Sequence, residues 1–199
     1  MSSVSSAAPR SATVPEPKGF DAFLAIAMVA VIAACVRALF FTPIDAMLGA
    51  AQKIFYVHVP AAIIGLYFAC GLLFISSIMY LWIKDERLDR LAESSAEVGL
   101  VFMGIVLVTG PVWARSSWGT WWVWSDPRLV TYLIVVLIYA AYFVLRSSAE
   151  DDRKMRYSAI YAIAGFASVP LSFYSVRVAE SFVHPVVFTG SGANMPDSM

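Results

Sequence analysis

WARSSWGTWWVWSDPR, Trp113 to Arg128, holds five of the six tryptophans in this 199-residue sequence and lies between two apolar runs, Ser94 to Trp113 and Leu129 to Leu145. Each run approaches the roughly 20 residues that cross about 30 Å of hydrocarbon, so the stretch reads as a connection between two spanning helices. Tryptophan concentrates at the boundary of hydrocarbon and water, where its ring is apolar and its N–H stays wet. Five at once exceed what anchoring needs. In a helical reading Trp118, Trp121 and Trp122 share one face, and in an extended reading Trp118, Trp122 and Trp124 do. Either geometry makes a flat aromatic shelf suited to a flat, apolar ligand. An interfacial belt that only fixes helix depth is the plainer alternative.

Working outward, three more apolar runs of spanning length occur at Phe20 to Phe41, Val59 to Ile83 and Tyr157 to Tyr174. The sequence thus predicts an all-α integral membrane protein with five transmembrane helices. Composition agrees: 60% of residues are hydrophobic and 14% charged, against about 25% charged in soluble proteins. The first run is too long for the apolar core of a cleaved signal peptide. Residues 1–18, rich in Ser, Ala and Pro, read as a disordered tail, residues 19–189 as the membrane domain, and residues 190–199 as a flexible polar tail. No segment outside the runs is long enough to bury a catalytic core. The 14 basic and 14 acidic residues cancel, which gives no reason to expect nucleic acid as a partner. Cys35 and Cys70 fall within spans, and no C-x-x-C-H haem-attachment site exists, so the chain is not itself a c-type cytochrome.

Lysine and arginine set the expected orientation. With the N-terminus cytoplasmic, Arg10, Lys18, Lys84, Arg87, Arg90, Arg146, Arg153, Lys154 and Arg156 lie inside, and only Lys53, Arg115, Arg128 and Arg177 lie outside. Arg37, near the outer end of the first run, can snorkel to the surface. The inner loops read as solvated scaffolding, with Glu93 and Glu97 solvated or stabilising a helix N-terminus. The outer face receives the tryptophan loop and both histidines, His58 and His184. His58 precedes Pro60, a residue favoured in the first helical turn, so its ring is expected at a helix N-terminus, whose partial positive charge disfavours imidazolium. A plain helix cap is the alternative role. His184 ends SVRVAESFVH, in which Arg177, Glu180, Ser181 and His184 share a polar face, as expected of an interfacial amphipathic helix. Glu180, one turn before His184, is placed to orient its ring.

Two imidazoles, an aromatic shelf and the outer cations Arg115 and Arg128, with Lys53 and Arg177 as further candidates, match the needs of haem: axial ligands, a stacking surface and partners for the propionates. Zinc fits less well, because only Asp45 or Asp126 offers a third ligand.

At these residues the sequence resembles the haem-handling membrane proteins of c-type cytochrome assembly, most closely the cytochrome c maturation protein C family. The family pattern W-G-x-x-W-x-W-D-x-R-L is matched by Trp118, Gly119, Trp122, Trp124, Asp126, Arg128 and Leu129, with Ser125 inserted before the aspartate. KIFYVHVPAA, Lys53 to Ala62, resembles the family's histidine block around His58, and a second family histidine falls at His184. The family has six spanning helices where this sequence shows five; the sixth is either missing or supplied by a partner. The resemblance implies a bacterial inner-membrane protein, not an enzyme, that binds b-type haem non-covalently and exchangeably. It implies His58 and His184 as iron ligands; Trp118, Trp121, Trp122 and Trp124 as platform; Arg115 and Arg128 toward the propionates; and Asp126 orienting the loop. Its expected partners are a periplasmic haem chaperone (CcmE-like), an ATP-driven transporter (CcmA/CcmB-like) and a small membrane subunit (CcmD-like). The alternatives are a membrane component of a cytochrome c haem-attachment complex, and an assembly subunit without cofactor.

Overall fold

The computed structural model describes residues 21–46, 48–149, 151–179, 188–189 and 192–193. Among these, five helices are long and apolar enough to cross a membrane. The chain forms two units, Met1–Phe41 and Thr42–Met199. In the first unit, one helix, Ala22–Phe41, begins where the Asp21 carboxylate accepts from the Leu24 amide at 3.1 Å. It widens into a π-helical turn at Arg37–Phe41.

The second unit holds the other four of these described spanning-length helices. The second helix, Ala50–Ile83, starts in a 3-10 turn at Ala50–Ile54, runs through Pro60 and widens into a π-helical stretch at Ile63–Ala69. Pro60 has no N–H to offer the Tyr56 carbonyl four residues back, so the ladder is already broken just before the wide stretch begins. Just past that stretch the Cys70 thiol donates back to the Gly65 carbonyl at 3.2 Å. Lys84, left-handed at φ 62°, closes a two-residue turn, and the Asp85 carboxylate then accepts from the Arg87 amide at 2.9 Å. The third helix, Glu86–Trp118, follows at once, and its 33 residues extend roughly 50 Å. KDERLDRLAE is accordingly a helix extension at the end of the bundle opposite the tryptophans. The fourth helix is Pro127–Ser148. The fifth forms in two pieces, Asp151–Phe166 and Ser168–Val178. Pro170 explains the break, since its ring clashes with the carbonyl of Phe166 and it cannot donate.

Arg177 lies in the last turn of that fifth helix, with its guanidinium 4.6 Å from the Phe173 ring centre. The helix ends at Val178 because Ala179 is extended (φ −123°, ψ 130°), so the opening of the expected interfacial segment is the final turn of the span itself. A two-residue antiparallel ladder pairs Phe188–Thr189 with Gly192–Ala193.

Lipid tails are as apolar as leucine, so these helices cohere by close packing rather than by expelling water. The second helix packs on the third and on the first piece of the fifth, and the fourth packs on both pieces of the fifth. Leu73, Met103, Val135, Tyr139 and Tyr142 fill the centre. Phe74 stacks on Phe166 with ring centres 4.3 Å apart. The second and third helices cross at glycines. A Cβ on Gly65 would stand 3.1 Å from the Met103 amide nitrogen, and one on Gly99 would stand 3.1 Å from the Ala69 Cβ.

One feature of the far end departs from expectation. Glu93 is not merely solvated: with buried Asp89 it grips Arg146 of the fourth helix through four hydrogen bonds of 2.6 to 2.9 Å. A buried guanidinium in a low-dielectric bundle requires such compensation, and sequence periodicity had no means of pairing residues more than fifty positions apart.

Candidate functional site

His58 stands two turns inside the second helix, not at its start, because the helix begins at Ala50 rather than at Val59. Pro60 is therefore an interior proline. The macrodipole acts within the first turn, so the expected dipole effect on the ring falls away. A neighbouring helix sets the ring instead. Its Nδ1 lies 2.9 Å from the Thr109 hydroxyl, and that hydroxyl lies 2.7 Å from the Ile105 carbonyl. Gly110 makes room for the imidazole: a Cβ there would come 3.3 Å from His58 Cε1. Thr109 and Gly110 were hidden in an apolar run, and only a cross-helix contact reveals them.

The tryptophan stretch is mostly helical at first. Trp113 and Trp118 belong to the third helix, which Gly119 ends with φ 76°. Arg115 donates from Nη1 to the Gly119 carbonyl, so this expected propionate partner also caps the helix. The irregular connection is Gly119 to Asp126, so no continuous helix runs through Trp118, Trp121 and Trp122. Trp113 packs edge-on against Trp118 (5.1 Å, 85°) and Trp122 against Trp124 (5.8 Å, 62°). Left-handed Gly119 ends the helix before Trp121 and Trp122, so helical spacing does not relate them to Trp118. Trp121 and Trp124 are 57% and 73% exposed, whereas Trp113, Trp118 and Trp122 are half-buried.

The loop closes on Asp126. Its amide donates to the Val123 carbonyl at 3.1 Å, and its buried carboxylate accepts from the Leu129 amide at 3.0 Å, capping the fourth helix with Pro127 at the first position. Ser125 is taken up in that turn, so the acidic residue still serves as the cap. Asp45, the other carboxylate considered for zinc, likewise caps a turn by accepting from the Leu48 amide at 2.7 Å. No group of three or more His, Cys, Asp or Glu converges among the described residues.

Arg128, in the first turn of the fourth helix, is within electrostatic range of Tyr67, Asp126 and Arg177. Its Nε is buried without a hydrogen-bond acceptor, as are the indole N–H groups of Trp113 and Trp122. Buried donors lacking acceptors are rare, and three flanking one loop leave this end of the bundle short of acceptor atoms. That fits a ligand carrying carboxylates. Tyr67 joins the group through its edge-on contact with Phe173 at 6.0 Å, a link that the sequence does not announce. His184 and Glu180 lie outside the described residues.

Five apolar helices of spanning length make this an all-α integral membrane protein. Comparison with known proteins narrows the class. The family described as CcmC, heme exporter protein C, matches residues 4–199, and the chain belongs to that family. It is 35% identical to heme exporter protein C of Escherichia coli K12 over 162 residues, 79% of this chain and 64% of the relative. Against the proteins of the same name from Rhodobacter capsulatus and Bradyrhizobium diazoefficiens, identity is 34% over 73% of the chain and 33% over 88%. The chain spans 60 to 66% of the length of these three relatives.

Proposed function

We propose that this chain binds haem as exchangeable cargo at the tryptophan-bearing end of its bundle and offers it to a periplasmic haem chaperone during c-type cytochrome assembly. The reading is supported by three observations: the His58 imidazole is held by Thr109 of the third helix, the indoles of Trp121 and Trp124 are exposed in the loop that follows that helix, and the buried Nε of Arg128, just after the loop, has no acceptor. Imidazole serves iron, indole faces serve the macrocycle, and a desolvated guanidinium serves a propionate. The half-buried Trp113, Trp118 and Trp122 then support the loop, and Asp126 holds its exit. His184 is the second axial ligand. No bond in haem need be made or broken, so the role is carriage rather than catalysis.

The nine-to-four charge asymmetry supports a cytoplasmic N-terminus, which turns the tryptophan end toward the periplasm. An ATP-driven transporter and a small membrane subunit are the partners that fit the family. The test is haem titration of the purified protein in detergent, read at the Soret band. His58→Ala should weaken retention and alter the axial-ligand spectrum. Trp121→Ala combined with Trp124→Ala should lower occupancy while the protein still accumulates in the membrane. Unchanged retention and spectrum in both variants would sink the reading.

A further inference from the structure

The proton count around His58 goes beyond the naming of a ligand. Thr109 Oγ1 makes two short polar contacts, 2.7 Å to the Ile105 carbonyl oxygen and 2.9 Å to His58 Nδ1. Each contact needs one proton. A carbonyl carries none, so the proton toward Ile105 is the single hydroxyl proton of Thr109, a common way for threonine to bond back within a helix. The proton in the second contact must then come from the ring. Nδ1 donates, and in the neutral ring the lone pair is then on Nε2. Imidazole in water favours the other tautomer, with the proton on Nε2, so the neighbouring helix has chosen for it.

We propose that Thr109 is a positioning residue that fixes His58 in the Nδ1–H tautomer and so offers Nε2 to iron; the ligand half of this statement rests on the haem reading above. Histidines that bind metal nearly always donate through the other ring nitrogen to an oxygen, which orients the ring and raises its basicity. The contact is built into the helix crossing. Gly65 follows His58 by seven residues, about two turns, and Gly110 follows Gly99 by eleven, about three turns, so the ring and its space lie along the same two faces that meet at the glycines. The crossing at Gly65 and Gly99 brings the backbones together, and Gly110 leaves the ring its room. No helix terminus is involved.

The hydrogen bond and the ligand role are tested separately. The first test uses the protein without haem, in a His184→Ala background, so that nitrogen-15 NMR of the histidine side chain reports His58 alone. The unchanged Thr109 and Thr109→Ser should both show the Nδ1–H tautomer. Thr109→Val, which keeps the shape but not the acceptor, should lose it. An Nε2–H tautomer with Thr109 in place, or the Nδ1–H tautomer retained in Thr109→Val, overturns the proposal.

The second test uses haem-loaded protein with His184 restored. Thr109→Val should weaken haem affinity by about 10- to 100-fold and shift the iron–histidine stretching frequency, with Thr109→Ser restoring both. A structural role in packing would leave that frequency unmoved. If His58→Ala binds haem as tightly as the parent while the NMR result stands, the haem reading fails and the ligand half falls with it, leaving only the hydrogen bond. If His58→Ala loses haem but Thr109→Val does not change affinity or frequency, the haem reading survives and the positioning role is overturned.

Discussion

Replacing Arg146 by Met removes the one cation from a cluster that contains two carboxylates. The structure separates what each carboxylate then suffers. Asp89 retains only 7% of its side-chain exposure and meets Arg146 in a bidentate pair at 2.9 and 2.6 Å, whereas Glu93 keeps 35%. Stranding a buried charge by deleting its partner costs about 3–5 kcal/mol. At about 1.4 kcal/mol per factor of ten, the unfolding equilibrium should shift by roughly two to three and a half orders of magnitude. Glu93 can hydrate, so Glu93→Gln should cost at most about 1 kcal/mol, the range of an exposed pair. The double variant Asp89→Leu with Arg146→Met should regain most of the loss, because it replaces the buried pair by apolar side chains rather than orphaning one member. The assay is equilibrium unfolding in mixed detergent and SDS micelles, followed by tryptophan fluorescence. Arg146→Met within about 1 kcal/mol of the parent, or a double variant as unstable as the single, would refute the argument.

Other perturbations address the site. Gly110→Val should displace the His58 ring, since even a single added carbon meets Cε1 at 3.3 Å; the readout is loss of the Nδ1–H signal together with weaker haem retention. Asp126→Ala should destabilise the fourth helix by about 0.5–2 kcal/mol and loosen the tryptophan loop, measurable as a red-shifted tryptophan emission, while Asp126→Asn keeps most of the cap. A reporter active only in the periplasm, fused after Met199, should be active, because five spans from a cytoplasmic N-terminus end outside; activity of a cytoplasm-only reporter there would reverse the orientation or change the number of spans.

The divide between what the sequence determines and what the tertiary structure decides runs along the range of the forces involved. Number and approximate place of the spanning helices follow from local composition, because a hydrocarbon slab of fixed thickness selects runs of fixed length. Asp126 was singled out as the loop's organiser only through the family resemblance, and the cap it makes on the fourth helix is read from the structure. The start of the second helix was not legible in the sequence: 3-10 and π-helical stretches around Pro60 carry a continuous helix past a residue that usually marks a beginning, and His58 moved inward with it. The helical form of the aromatic shelf did not survive, because left-handed Gly119 ends the helix at Trp118, before Trp121 and Trp122. The partners that matter most to the charged and titratable groups, Thr109 for His58, and Asp89 with Glu93 for Arg146, lie 51 to 57 residues away in sequence. Hydropathy identifies which segments enter the membrane. Which side chains meet within it depends on how closely two helices approach, and here glycines at 65, 99 and 110 decide that by what they lack.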